Sequence, residues 1–276
     1  MARSRHGHDR EENTVKARIK LLLPACLLIP MFASGQGVPR GAATRYGLTL
    51  GVAFYQVRDE ALNPIRHQGP SVSAGVFRER ASTDSMHRFG ISFTFATLTD
   101  RYSPDRSSIL FHPAVEFRYV RKTAQPTEDL ALFLGGTMGW NTRFGFYENW
   151  DQGHPYWLTS AHLGFAGSLV RTLNDGKSLQ LDLDSPLVAL VSRPPERFEY
   201  KEVNPDPGWV FKEIHRDLRP AAFSQHTAVT ATLTFHNTGG RFLQRVFWQT
   251  AFAATRLPQS KPFTSLSHIL GISHLF

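Results

Sequence analysis

From Tyr46 to the last residue, bulky apolar side chains alternate with small or polar ones, and no long stretch keeps a helical period. In 46–57 the even positions carry Tyr46, Leu48, Leu50, Val52 and Phe54, with Thr49, Gly51 and Ala53 between them. Segment 89–98 repeats this, setting Phe89, Ile91, Phe93 and Phe95 against Gly90, Ser92, Thr94 and Ala96. Comparable segments are 109–121, 130–143, 156–170, 178–191, 223–236 and 242–255, with a shorter one at 71–80 and a terminal one at 266–276. A period of two puts alternate side chains on opposite faces of a strand, so each segment is expected to meet an apolar medium on one face only.

A soluble sandwich and a membrane barrel both use two-faced strands, and strand length separates them. Soluble strands run about 5–6 residues, whereas a tilted strand crossing a bilayer needs about 9–11. Most of these segments reach the longer figure, with bulky residues on one face and Gly, Ala, Ser and Thr on the other. That suits a lipid-facing exterior around a narrow lumen. The connections at 81–86, 122–129, 173–177 and 237–241 are short and alternate with mostly longer ones at 58–70, 99–108, 145–155, 192–222 and 256–264. The expected fold is therefore all-β: an antiparallel transmembrane β-barrel of about ten strands over 46–276, with short periplasmic turns and longer outer loops. The segment 192–222 is where an extra strand pair would hide.

The first 35 residues form a separate pattern. Arg3, Arg5, Arg10, Lys16, Arg18 and Lys20 precede an apolar run from Leu21 to Phe32, and Ala33-Ser34-Gly35 supplies small residues. This is the layout of a cleaved Sec-type signal peptide, with cleavage expected before Gln36 and 36–45 left as a short periplasmic segment. Leu23-Pro24-Ala25-Cys26 resembles a lipoprotein box, but most of the apolar run follows Cys26, which argues against a lipid anchor. Cys26 is the single cysteine, so the exported chain would hold no disulfide and must draw stability from another source. The remaining 25 Lys/Arg against 20 Asp/Glu leave +5. So mild and scattered an excess suits contact with anionic lipid and argues against nucleic acid.

The tail, Leu266-Ser267-His268-Ile269-Leu270-Gly271-Ile272-Ser273-His274-Leu275-Phe276, resembles the terminal strand of Gram-negative outer-membrane β-barrel proteins. Those chains end in an aromatic residue with apolar residues at alternate positions before it. Phe276, Ile272, Leu270 and Leu266 fit that pattern, while His274 and His268 depart from it. The resemblance implies a cell outer-membrane location, contact with outer-membrane lipids, and recognition of Phe276, Ile272 and Leu270 by the barrel-assembly machinery. It implies no activity.

Strand parity turns Glu116, Arg118, Asp182, Asp184, Arg245, His112, His162 and His226 into the lumen. Charges there are costly unless paired, so Asp182 with Arg118, and Glu116 with Arg245, are the expected partners in a salt-bridged plug; a proton or ion path is the sharper alternative. Ten strands leave only a narrow interior, far from the 16–18 of open porins. Ser224, His226 and Asp184 are the available trio for a nucleophile, a base and an orienting group, yet all three are expected inside, away from a lipid ester. The histidines lack zinc-site spacing, so neither metal nor cofactor is expected. In the outer loops, Trp150, His154, Trp209 and Phe211 stand beside charges, as binding surfaces favour. Trp209, Ile214 and Leu218 are spaced to form one side of a short helix, whereas Trp140 and Trp157 read as interface anchors. The expected role is structural, or surface binding of a ligand or partner protein through these loops. The alternatives are a barrel hydrolase acting on lipid or peptide, and a narrow substrate-specific channel.

Overall fold

The computed structural model describes residues 43–60, 63–100, 102, 107–147, 155–173, 176–194, 207–237, 245–258 and 260–276. The expected leader, and Trp150 and His154, lie outside the described residues. The strands are β1 (Ala43–Asp59), β2 (Asn63–Ala81), β3 (Ser85–Asp100), β4 (Ser107–Thr127), β5 (Leu130–Tyr147), β6 (Pro155–Thr172), β7 (Lys177–Ser192), β8 (Arg219–Ala222), β9 (His226–Asn237), β10 (Arg245–Thr255) and β11 (Phe263–Leu275). One described helix, α1 (Pro207–Ile214), lies between β7 and β8. Strand β1 opens at Ala43, three residues earlier than the alternation alone marks.

Sequential strands pair antiparallel, β1 pairs with β11 and β6 with β7, so the sheet closes on itself. Strands β8 and β9 both lie against β7, β8 along Val188–Val191 and β9 along Lys177–Asp184. They are two pieces of one barrel strand, interrupted by a turn at 223–225. The barrel therefore has ten strands, and 192–222 adds a strand fragment and a helix instead of a further pair.

The segment 71–80 is the tip of a much longer strand, because β2 runs for 19 residues through Gly69-Pro70. Pro70 opposes Phe54 of β1, while the β2–β3 pairing skips positions 69 and 70 and resumes in the same register. The N–H that proline lacks thus falls in a gap of the ladder. A Cβ at Gly69 would lie 2.1 Å from the Thr97 carbonyl oxygen, so only glycine lets the two backbones approach this closely.

The apolar face points outward on every long strand. Val52, Ile91, Met138, Leu163, Leu183, Trp248, Leu270 and Ile272 are all exposed. On the opposite face the chain packs the lumen in layers. Tyr55, Val57, Leu98, Leu110, Tyr156, Leu158, Val191 and Phe263 form a buried apolar cluster towards the end that carries the longer connections, here the loop end. Gly145 admits the Tyr156 ring there, since a Cβ would come within 2.3 Å of it. Val120, Phe133 and Ala166 form a smaller cluster towards the turn end, where the β-turns and Phe276 lie. Strands β1 to β7 span 16 to 21 residues, the strand made of β8 and β9 covers 219–237, and β10 and β11 run for 11 and 13. Strands β1 to β7 and the strand made of β8 and β9 exceed the about 9–11 residues that a tilted crossing needs.

Leu183 faces out and its neighbour Asp182 faces the lumen. Leu183→Arg should destabilise the refolded barrel by about 2–4 kcal/mol, the penalty for arginine on the lipid face near mid-membrane. Asp182→Asn should cost less and leave insertion intact. Refolding titrations into lipid read both, and a silent Leu183→Arg would place this face away from hydrocarbon.

Candidate functional site: a charged lumen beneath an apolar cap

Arg118 of β4 is the hub of the middle lumen. Its Nε donates to Asp184 Oδ1 at 2.8 Å, and its Nη2 lies 3.1 Å from Asp182 Oδ1. The same Nη2 reaches the Gly167 carbonyl at 2.7 Å and Ser168 Oγ at 2.9 Å. Ser168 donates to Asp182 at 2.5 Å, and Gln180 Nε2 donates to both oxygens of that carboxylate at 2.9 Å. Thr137 and Ser168, the small lumen-facing residues on the two intervening strands, let one side chain reach from β4 to β7. Glu116, two residues along β4, accepts from Thr137 Oγ1 at 3.4 Å.

Arg245 is not paired with Glu116. It makes a two-pronged ion pair with Glu79 of β2, and its guanidinium stands 5.5 Å from the Phe77 ring. Arg245 and Glu79 both sit near the turn-end termini of their strands, whereas Glu116 is in the middle of β4, so the nearer carboxylate takes the guanidinium. Glu79 shares odd parity with Ser71, Ser73 and Gly75 on the small-residue face, a sequence signal hidden by the apparent shortness of that strand.

Above Arg118, His112, His162 and His226 line one cavity of about 270 Å³ together with Tyr55, Asn141 and Arg143. His226 Nδ1 is 2.9 Å from Thr255 Oγ1. Arg143 Nε donates to Tyr55 Oη at 2.9 Å, and the Tyr55 oxygen lies 3.4 Å from His112 Nδ1. Arg143 has the inward parity of Asn141, which the sequence carried without drawing notice. Ser224 does not join His226 on the lumen face; it is exposed in the turn at 223–225, because β9 begins only at His226. Among the described residues no group of three or more His, Cys, Asp or Glu is placed to hold a metal ion.

The apolar cap is strapped by a second ion pair. Arg193, just past β7, binds Asp59 at the end of β1 through both guanidinium nitrogens, at 2.8 and 2.9 Å. It also reaches the Trp157 and Lys261 carbonyls and lies 4.9 Å from the Phe263 ring. β7 and β1 are separated by β9, β10 and β11 in the wall, so this pair ties distant strands together at the loop end.

Outside the barrel, α1 is pinned to the wall. Pro207 opens the helix, where a missing N–H costs nothing, and Asp217 at φ 56° follows its last turn in the left-handed conformation that ends helices. His215 stacks on Trp140 of β5, with centroids 5.6 Å apart and planes 10° from parallel. Trp140 Nε1 donates to His215 Nε2 at 3.1 Å, so Nδ1 carries the imidazole proton and donates to the Phe211 carbonyl at 2.7 Å. Trp157 is likewise covered, donating to Ser192 Oγ at 3.3 Å, and that hydroxyl donates to the Arg216 carbonyl. Ile214 is buried while Phe211 is 63% exposed; Trp209 lies in α1, and Leu218 falls beyond the helix.

Arg118→Met should cost about 3–5 kcal/mol, because Asp182 and Asp184 would remain buried without their cation. Adding Asp182→Asn and Asp184→Asn to that variant should recover most of the loss. Refolding free energies of the single and triple variants test the hub, and equal losses in both would show that Arg118 acts by packing alone.

No protein-family model and no curated protein matches the chain. Among solved structures, the outer-membrane protease OmpT of Escherichia coli is 7% identical over 88% of this chain and 99% of its own, with a TM-score of 0.49. The translocator domain of autotransporter NalP of Neisseria meningitidis is 9% identical, covering 97% and 98%, with a TM-score of 0.41. The β domain of the Bordetella autotransporter BrkA is 11% identical, covering 82% and 98%, with a TM-score of 0.34. These are proteins of different activities. By its closed ten-stranded antiparallel sheet and outward apolar band, the chain is a transmembrane β-barrel of the outer-membrane type.

Proposed function

We propose that this barrel resides in the cell outer membrane with its lumen sealed, and that its role is carried by the loop end as a surface-binding or structural element. The observation behind this reading is the apolar cap strapped by Arg193 and Asp59, whose buried side chains fill the lumen above the polar cavity. Both chain ends of a bacterial barrel lie in the periplasm, which makes the turn end periplasmic and the loop end external. Export would use the cleaved leader of residues 1–35. The barrel-assembly machinery would read the exposed tail residues Leu270, Ile272 and Phe276, and outer-membrane lipids would surround the outward face.

Helix α1 supports the surface role, because it holds Phe211 out from the wall next to Lys212. Trp150 and His154, outside the described residues, remain candidates for the same surface, as does Trp209. The hydrolase alternative loses its trio, since Ser224 is turned away from His226 and His226 is bonded to Thr255.

In planar bilayers the unmodified barrel should show no steady conductance, and opening of the strap by Arg193→Ala should produce intermittent current. Steady ohmic current through the unmodified barrel would favour the narrow channel instead. With Cys26 lost in the leader, Phe211→Cys supplies a single thiol, which a membrane-impermeant maleimide should label on intact cells. Labelling only after the outer membrane is broken would invert the orientation.

A further inference from the structure

We infer that the upper lumen holds a binding site for a small oxyanion, a carboxylate or a phosphate, centred on Arg143. Arg143 is only 7% exposed. Among the described residues no carboxylate stands within 4 Å of it; its hydrogen bonds go to two neutral groups, Tyr55 Oη and Asn141 Oδ1, each at 2.9 Å. A guanidinium carries five N–H donors, so among the described residues three, including both on Nη2, meet no protein acceptor. A buried charge without a counter-charge is costly, and three carboxylates of this lumen are committed to other arginines. Asp182 and Asp184 are held by Arg118, and Glu79 by Arg245. Glu116 accepts from Thr137.

The neighbours of Arg143 have the chemistry of the same ligand. His112, His162 and His226 line the cavity with it. A neutral imidazole can turn an N–H towards an anion and adds no competing negative charge. His162 Nδ1 is buried with no hydrogen-bond partner, a second donor position without an acceptor. Arg143 is held by Tyr55 at Nε and by Asn141 at Nη1, and a guanidinium can recognise two oxygens of a carboxylate or phosphate. A cavity of about 270 Å³ lies at the small end for ligand pockets, which limits the occupant to a small molecule. Its lining continues past Arg118 to Glu79 and Arg245 at the turn end, whereas the cap closes the other way out. The anion is therefore expected to enter from the turn end, the periplasmic side under the proposed orientation. This site does not depend on a surface-binding role for the loops.

Titration calorimetry on the purified full barrel in neutral detergent, with sodium acetate and inorganic phosphate as separate probes, tests the proposal. Each titration is set against sodium chloride, a monatomic anion without the two oxygens a guanidinium fork recognises, at matched ionic strength. Saturable binding of acetate alone assigns a carboxylate site, of phosphate alone a phosphate site, and of both a general oxyanion site. Arg143→Gln should weaken binding at least tenfold, and Arg143→Lys, which keeps the charge but loses the planar fork, by an intermediate factor. If Arg143→Gln does not insert, the anomalous peak of arsenate in crystals of the unmodified barrel decides, and it is expected beside Arg143 Nη2. Absence of saturable binding for both probes, undiminished binding in Arg143→Gln, or an arsenate peak elsewhere in the lumen would overturn the site. Arg143 would then be balanced at a distance by Glu116.

Discussion

Hydrocarbon offers no partner to a backbone N–H or C=O, so a sheet inside a bilayer must satisfy every ladder group within itself. The seam between β1 and β11 meets this constraint. It runs unbroken from Gly47 opposite Leu275 to Asp59 opposite Phe263, and the Tyr46 and Phe276 backbones exchange hydrogen bonds at its foot. Once the seam closes, each strand has a lipid face and a lumen face, and the placement of every other residue follows from its parity. The departures from a regular ladder are few and are absorbed locally. Gly69-Pro70 falls in a pairing gap, the β6–β7 register shifts after Leu163, and the turn at 223–225 splits one strand into β8 and β9.

Closure creates the second constraint, a narrow lumen lined by side chains that include charges. The chain resolves this by stacking layers of different chemistry. An apolar cluster under the loops, the Arg118 hub with its two aspartates, and the Glu79–Arg245 pair near the turn end follow one another down the axis. Each ion pair joins strands that are not neighbours in the wall. These pairs brace the lumen across its width in a way that the backbone ladder cannot. Arg193 with Asp59 does the same at the loop end. Arg143 is the exception, a fixed guanidinium bonded only to neutral groups, and for that reason it is the residue most suggestive of a bound species.

The outer wall is also unequal around its circumference. Strands β10 and β11 are the shorter ones, and the chain after β7 packs α1 against β5 through His215 and Trp140. A tryptophan that would otherwise serve as a head-group anchor thus becomes a docking point for a loop helix, which sets the direction in which Phe211 is presented.

Much of this was legible in the residues alone, because a period of two fixes which side chains share a face whatever the neighbouring strands are. Ten strands, an outward apolar band, an inward Arg118 and Asp182, and short turns opposite long loops all follow from alternation and spacing. Alternation is blind to whatever depends on which strands stand opposite each other across the lumen. Arg245 was expected to meet Glu116 and meets Glu79, because the choice rests on axial height, which register and closure set together. Gly69-Pro70 read as a break, since only the β1 and β3 backbones reveal that its missing donor falls in a gap. Ser224 was assigned to a strand face and lies in a turn, because the local pattern around it does not record that β8 and β9 are offset along β7. Arg143 and Arg193 are ordinary arginines in the sequence. Only the tertiary structure decides that one is strapped to Asp59 and the other left without a counter-charge, because the pairing of buried charges depends on distance across the lumen and not on position along a strand.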